Sequence, residues 1–385
     1  MADRIENHFC GMLIIRKEPG FTSSDVVAKL RGILHMRKIG HTGTLDPMAE
    51  GVLPVCLGNA TKLAELISDR DKEYVARLRL GVTTDTQDMT GQILSEKTIE
   101  EIRHALLSEN DISEDEAQES PETDAAARSD SGPGSLLDAD RQCLEAIRAV
   151  SARFVGEISQ IPPMYSAVWS NGQRLYDLAR KGVTVAREPR TVSISELEIR
   201  SVDLPYVTMR VVCSKGTYIR TLCEDIGNAL GTGGAMDHLI RTRVGSFTLE
   251  QALTLREVQM MMRQEQQVPC SIQGEDSSGA MASAASAVSS RGRRLLIEDH
   301  IVPVDSFFAE DPAVHVRDED LKYLLNGNPL SAANTLEGRL PHKERVRVYD
   351  ARGEFYALYR WEKGRRRILP VKMFHDTESV RHDKR

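Results

Sequence analysis

The stretch Glu73-Tyr74-Val75-Ala76-Arg77-Leu78-Arg79-Leu80 decides the fold class. Tyr74, Ala76, Leu78 and Leu80 fall on one side of a period of two, and Arg77 and Arg79 on the other, which is the pattern of a strand with one covered face. A second run, Tyr206–Cys213, leads through a Ser-Lys-Gly turn into a helix. That helix stacks Ile219, Leu222, Ile226 and Leu230 on one stripe, and Gly231 is placed to end it. Toward the N-terminus, Met12–Arg16 reads as a short strand and Thr22-Ser23-Ser24 as the cap of a helix carrying Val26, Val27, Leu30, Ile33 and Leu34. Leu63, Leu66 and Ile67 mark another helix. Strands and helices mix without a strict βαβ rhythm, so the expected class is α+β, a mixed and largely antiparallel sheet flanked by helices.

Two stretches read as spacers. Residues 108–140 hold 11 acidic side chains and one basic one, Arg128, with few large apolar residues and no evident period; an insertion without fixed order is expected there. Residues 271–290 hold seven Ser, five Ala and two Gly, a linker composition. The expected organisation is a body at 1–265, a linker at 266–294, a β-rich domain at 295–376 and a tail at 377–385. Within that C-terminal domain Leu321–Leu325 reads as a short helix, and Arg345–Tyr349, Glu354–Trp361 and Arg367–Phe374 as strands, the first two joined by a hairpin at Asp350-Ala351-Arg352-Gly353. From Tyr359 to His375 six basic residues meet one acidic residue, Glu362. This strip is either a charge-guarded edge strand or a contact for phosphates.

The 385 residues suggest two or three domains, and a hydrophobic fraction of 41% is enough for real cores. The charge is −7, from 50 basic and 57 acidic side chains, but outside the acidic stretch 49 basic and 46 acidic groups leave +3, compatible with nucleic-acid binding. No run of 18 apolar residues exists to span a membrane, and the start MADRIENHFC lacks the apolar stretch of a secretion signal. The six cysteines are scattered without a CxxC pair, so reduced thiols in a cytoplasm are expected rather than disulfides or a zinc cage. GxGxxG, GxxxxGKS/T, HExxH and GxSxG are all missing, which removes the usual support for dinucleotide, P-loop, zincin and serine-hydrolase chemistry.

The segment that stands out chemically runs from Gly40 to Gly58. Four glycines and two prolines in 19 residues suggest a loop rather than a regular element. Pro47 pushes the backbone of Asp46 out of the helical region, so its carboxylate stands off any helix axis. The same dipeptide also suits a helix N-cap followed by a first-turn proline, and local sequence leaves both readings open.

HTGTLDPMAEGVLPVCLGNATK (residues 41–62) closely resembles the catalytic motif of the TruB family of bacterial tRNA pseudouridine synthases. Further blocks resemble that family in the same order: Lys72-Glu73-Tyr74, Gly81–Asp88, Pro162–Ala167 with Gly172, Leu175-Tyr176 and Ala179-Arg180, then Cys213–Thr221 and Leu239-Ile240-Arg241. The C-terminal part loosely resembles a PUA-type RNA-binding module. The resemblance implies the pseudouridine synthase fold with a PUA-like domain, and isomerisation of uridine 55 in the T loop of tRNA without cofactor or metal. It makes Asp46 the nucleophile, Arg220 its cationic partner, and Tyr74 the residue against the target base and a relay for the C5 proton. It places His41 in support of the flipped region, Tyr218 on the pocket lining and Leu239 as an apolar wall. Without the family, Tyr74 and Leu239 read as core, Arg220 as a surface arginine and His41 as a turn residue. Arg365, Arg366, Arg367 and Lys372 are the candidate contacts to the RNA backbone. The expected partner is the tRNA T-arm stem-loop, with no membrane, and the expected state is a monomer. Trp169 departs from the family, which often has Lys there. A synthase with a different RNA target and a non-catalytic RNA-binding or chaperone protein remain open, while a glycosidase would need a second carboxylate and would release free base.

Overall fold

The computed structural model describes residues 9–108, 134–170, 172–266 and 296–374. The chain divides into two compact units, one of residues 1–47, 51–68 and 247–385 and the other of 48–50 and 69–246.

In the second unit, antiparallel strands lie in the order Gly234–Val244, Lys72–Leu80, Tyr206–Cys213, Arg190–Asp203 and Gly156–Gln160. Lys72–Leu80 buries Tyr74, Ala76, Leu78 and Leu80 and leaves Arg77 exposed, as its period requires. Helix Ile219–Ala229 packs on this sheet and buries Ile219, Leu222, Cys223 and Ile226. Gly231 ends it in the left-handed conformation, φ 64°. Gly227 lets the helix lie directly on the next strand, because a Cβ there would stand 2.4 Å from the backbone of Gly233 and Gly234.

The acidic stretch enters regular structure at both ends, which corrects the expected span of 108–140. Ser108 closes helix Ile99–Ser108, and residues 134–140 open helix Gly134–Ala152. The two helices pack together, with Arg103 donating to Asp140 at 2.6 Å. Cys143, Ala146, Ile147 and Val150 bury one face of the longer helix, and that helix runs outward into sequence whose acidity hides the period. Residues 109–133 and the 271–290 linker lie outside the described residues.

In the first unit, Gly11–Lys17 pairs along its length with Glu50–Leu57, Gly11 opposite Leu57 and Lys17 opposite Gly51. Ile301–Val302 and Ile39–His41 add to these strands. The glycine- and proline-rich segment is therefore a strand from Glu50 onward, not a loop throughout. Gly51–Leu57 are all buried, and apolar burial on both faces outweighs the breakers Gly51 and Pro54. Helices Ser23–Leu34 and Leu255–Gln266 complete a core in which Leu13, Val26, Leu30, Leu53, Val55 and Val258 meet.

A separate C-terminal sheet has the order Ala313–His315, Val346–Tyr349, Phe355–Glu362, Arg367–Met373, Leu330–Ser331, the first pair parallel and the others antiparallel. Its hairpin turns at Asp350–Gly353 as expected, the Asp350 carboxylate accepting the amides of Arg352 and Glu354 at 2.9 and 2.8 Å. Lys62 reaches this sheet, donating to the Met373 carbonyl at 2.7 Å. The architecture is the expected α+β one, with a large mixed sheet system and a separate small sheet.

Candidate active site

The Asp46 loop is anchored by the start of helix Ser23–Leu34. Thr22 caps that helix, its hydroxyl accepting the Asp25 amide at 3.0 Å while the Asp25 carboxylate accepts the Thr22 amide at 2.8 Å. The cap fixes Ser23, which is buried and accepts the Leu45 amide at 2.9 Å. On the other side of Asp46, the Pro47 carbonyl accepts from the Gly20 amide and from Lys17 Nζ, each at 2.9 Å. Asp46, half-buried, is strung between two anchored neighbours. No helix follows it, since the chain passes through Pro47, Met48 and Ala49 into strand Glu50–Leu57, so the N-cap reading fails. Met48–Glu50 belong to the second unit, where the Glu50 carboxylate lies 3.0 Å from His238 Nε2. His41 ends the strand Ile39–His41, half-buried, two strand residues from Ile39 rather than in a free turn.

Tyr74, Tyr218, Arg220 and Leu239 lie in the second unit. Tyr74 is buried and sits opposite Val211 on one neighbouring strand and Arg241 on the other; Leu239, also buried, sits opposite Ala76 on the same covered face. Arg241 is only 2% exposed, a buried cation to which sequence reasoning gave no role. Burial, and then the Arg241 charge, hold the Lys72 ammonium below the ordinary lysine range. The signal was available: a basic residue in the slot that the strand period assigns to the covered face.

Tyr218 is the N-cap residue of helix Ile219–Ala229. Its backbone is clamped by the buried Gln160 amide, which accepts from Tyr218 N at 3.0 Å and donates to Tyr218 O at 3.3 Å. Arg220 is not a surface arginine. It is 5% exposed, and its guanidinium donates to Tyr165 O at 2.8 Å and Thr86 O at 3.2 Å, with the Asp88 carboxylate 3.6 Å away. Asp88 also accepts from Thr86 Oγ1 at 2.8 Å and from the Thr90 amide at 3.0 Å, so the loop that meets Arg220 is itself tied. These partners are more than 50 residues from Arg220 in sequence, beyond the reach of any local period.

Trp169 is 64% exposed on the small hairpin Trp169–Ser170/Gln173–Arg174, and the Arg174 guanidinium lies over its ring at 5.4 Å, so a cation stands beside the position where the family often has lysine. In the C-terminal sheet, Arg365 and Arg367 both pair with Glu362, whose carboxyl is held below the ordinary range first by the bond from Arg367. Strand Arg367–Met373 is flanked on its outer side at Arg367 and Ile368 by Leu330–Ser331, so over those residues it is not an edge. A cavity of about 430 Å³ opens where Cys143 and Leu144 face Ile199 and Val202, and none of the expected site residues lines it. Among the described residues no group of three or more His, Cys, Asp or Glu side chains is placed to hold a metal, and no helix is long and apolar enough to cross a membrane.

The fold is that of a pseudouridine synthase. A structure of an H/ACA RNP bound to a substrate RNA containing 2′-deoxyuridine superposes with a TM-score of 0.55 at 22% identity, covering 96% of this chain and 86% of that one. A Cbf5-Nop10-Gar1 complex superposes with a TM-score of 0.56 at 23% identity over the same shares. The family model described as TruB family pseudouridylate synthase (N terminal domain) matches residues 31–115 and 116–219, and the tRNA pseudouridylate synthase B C-terminal domain matches 220–309. Relatives by sequence include tRNA pseudouridine synthase B of Lachnoclostridium phytofermentans, 39% identical over 94% of this chain and 99% of the relative. The protein of the same name from Pseudomonas fluorescens is 36% identical over 92% of both chains. The chain belongs to the TruB family, and is an isomerase that makes pseudouridine in tRNA.

Proposed function

We propose that the chain isomerises uridine 55 in the T loop of tRNA, with the Asp46 carboxylate as nucleophile on a flipped-out uracil. The observation that carries this reading is the anchoring of Leu45 and Pro47 around an aspartate that caps no helix. The N1–C1′ bond breaks, the uracil turns, and C5 joins C1′; C5 gives up its proton and N1 ends protonated, so no oxidant and no net water are consumed. A carboxylate divides the difficult exchange into easier steps. Attack on uracil C6, attack on ribose C1′ and proton abstraction all begin from the same ionised oxygen pair.

Turning the base out of its stack costs a few kcal/mol, to be offset by an aromatic face worth about 1–3 kcal/mol per base. Tyr74 is assigned that stacking and the relay of the C5 proton, Arg220 the counter-charge for the carboxylate, and His41, Tyr218 and Leu239 the substrate pocket. Arg365, Arg366, Arg367 and Lys372 are assigned to the RNA backbone, the enzyme to the cytoplasm as a monomer, and residues 295–376 to an RNA-binding role.

The test is isomerisation of a T-arm stem-loop by Asp46→Asn. Loss of pseudouridine with tRNA affinity unchanged is expected; activity comparable to the unmodified chain overturns the assignment. Stem-loops lacking the target uridine decide the site, because continued modification of them at another uridine would show a different RNA target.

A further inference from the structure

Between the ribbon strands Val82–Thr84 and Ile93–Glu96, the loop reverses at Thr86-Gln87-Asp88. Gln87 takes φ 64°, a left-handed conformation that glycine or asparagine adopts far more readily. Its side-chain amide is gripped at both ends by one helix. Thr221 Oγ1 donates to its oxygen at 2.8 Å, and its nitrogen donates to the Glu224 carboxylate. The flanking residues are held by the same helix one position earlier: Arg220 donates to Thr86 O at 3.2 Å and faces the Asp88 carboxylate at 3.6 Å.

The loop does not need this clamp to stay attached. Met236 N donates to Gln87 O at 3.0 Å and Met89 N to Met236 O at 3.1 Å, so the backbone alone ties it to strand Gly234–Val244. What the glutamine adds is its reach to the helix. We infer that Gln87 is a positioning residue for the isomerisation: it locks the reversal against the helix, so that the Thr86 carbonyl and the Asp88 carboxylate hold one side of the Arg220 guanidinium while the Tyr165 carbonyl, at 2.8 Å, holds another. Strain accepted at one residue and offset by side-chain bonds to a functional helix is the expected form of such a device. The inference rests on the proposed role of Arg220.

The clamp has an acidic side. Burial pushes the Glu224 carboxyl above the ordinary range, against the Gln87 bond and the Arg187 charge, which lower it. The adjacent Asp225 is likewise pushed up by burial and by Glu224, to about 6. A carboxyl placed at position 87 would therefore meet a neighbour ready to take up a proton, and the pair would hold together only when it shares one.

Steady-state kinetics on tRNA, tRNA affinity and melting temperature are measured for Gln87→Gly and Gln87→Glu. Gln87→Gly keeps the left-handed backbone and removes the clamp, so kcat should fall roughly tenfold, as for the loss of a charge-assisted hydrogen bond, while KM and affinity stay within about twofold. Gln87→Glu should be impaired near neutral pH and recover as the pH is lowered into the range where Glu224 is protonated, a rise absent from the unmodified chain. Unchanged kcat in Gln87→Gly overturns the inference. So does a loss of kcat that follows melting temperature and KM, with no recovery of Gln87→Glu at low pH, since a merely structural role predicts that. If Asp46→Asn stays active the functional reading fails whatever Gln87 does; if Asp46→Asn is inactive and the Gln87 variants behave as the unmodified chain, this inference alone fails.

Discussion

Replacing Lys17 by methionine keeps the packed stem and removes the ammonium from a side chain with 0% exposure. Its bonds to Pro47 O at 2.9 Å and to Glu18 O at 3.1 Å go with it. Hydrogen bonds to charged groups contribute about 1.5–3 kcal/mol each, so roughly 3–6 kcal/mol of interaction is lost. Pro47 O is not orphaned, because Gly20 N still donates to it at 2.9 Å. The net expectation is a loss of stability of about 3 kcal/mol in urea denaturation, the low end of that range because one ammonium makes both bonds. Chemistry should suffer as well. One of the two donors fixing the residue after Asp46 is gone, and a displacement of about 1 Å in a reacting group can cost on the order of 100-fold in rate. Single-turnover isomerisation of a T-arm stem-loop, with RNA saturating, reads the chemical step; a 10- to 100-fold fall is expected, on the order set by such a displacement. A rate within about twofold of the unmodified chain would show that the anchoring of Pro47 does not govern the carboxylate, and the reasoning from loop to mechanism would fail.

Asp225 supplies a pH-dependent test. With its carboxyl pushed up to about 6 from the ordinary 3.8, it supports the fold fully only below the lower value and loses that contribution as pH rises through the higher one. Asp225→Asn should therefore stabilise the protein at about pH 7 by roughly 1–2 kcal/mol, discounted for partial exposure, with the difference gone near pH 4. Equal urea midpoints at neutral pH would refute it. Neutralising Arg365, Arg366 and Arg367 together should weaken tRNA binding and flatten its salt dependence by about 1–2 units of slope, less than three full phosphates because two of the arginines share Glu362. An unchanged slope in filter binding would return the strip to a charge-guarded strand.

Where a residue's environment is set by its near neighbours, the sequence was legible. The period of two in Lys72–Leu80, the boundaries of Tyr206–Cys213, the short helix Leu321–Leu325 and the Gly231 stop all follow from local rules. Asp46 itself was not decided locally, because an Asp-Pro dipeptide serves a cap or a loop equally well and only the strand that follows distinguishes them. The strand Glu50–Leu57 was obscured by Gly51 and Pro54, whose breaking tendency yields to burial on both faces. Lys17 and Gln87 were invisible for another reason. Their partners lie 30 and 134 residues away, and a lysine at a strand end or a glutamine in a polar loop carries no sign that it is held. The opening turns of helix Gly134–Ala152 were concealed by composition, since Asp138 and Asp140 look like more of the acidic run although Asp140 pairs with Arg103.

The two ties on either side of Asp46 have a consequence for which partner must move. Leu45 and Pro47 are fastened by contacts made when the polypeptide folds, before any RNA is present. The aspartate thus meets its target as a stationary post, and the geometric search for the reactive arrangement falls to the nucleotide. Lesions or base changes that loosen stacking around the target uridine should then speed the approach, whereas loosening the protein at this point can only blur it.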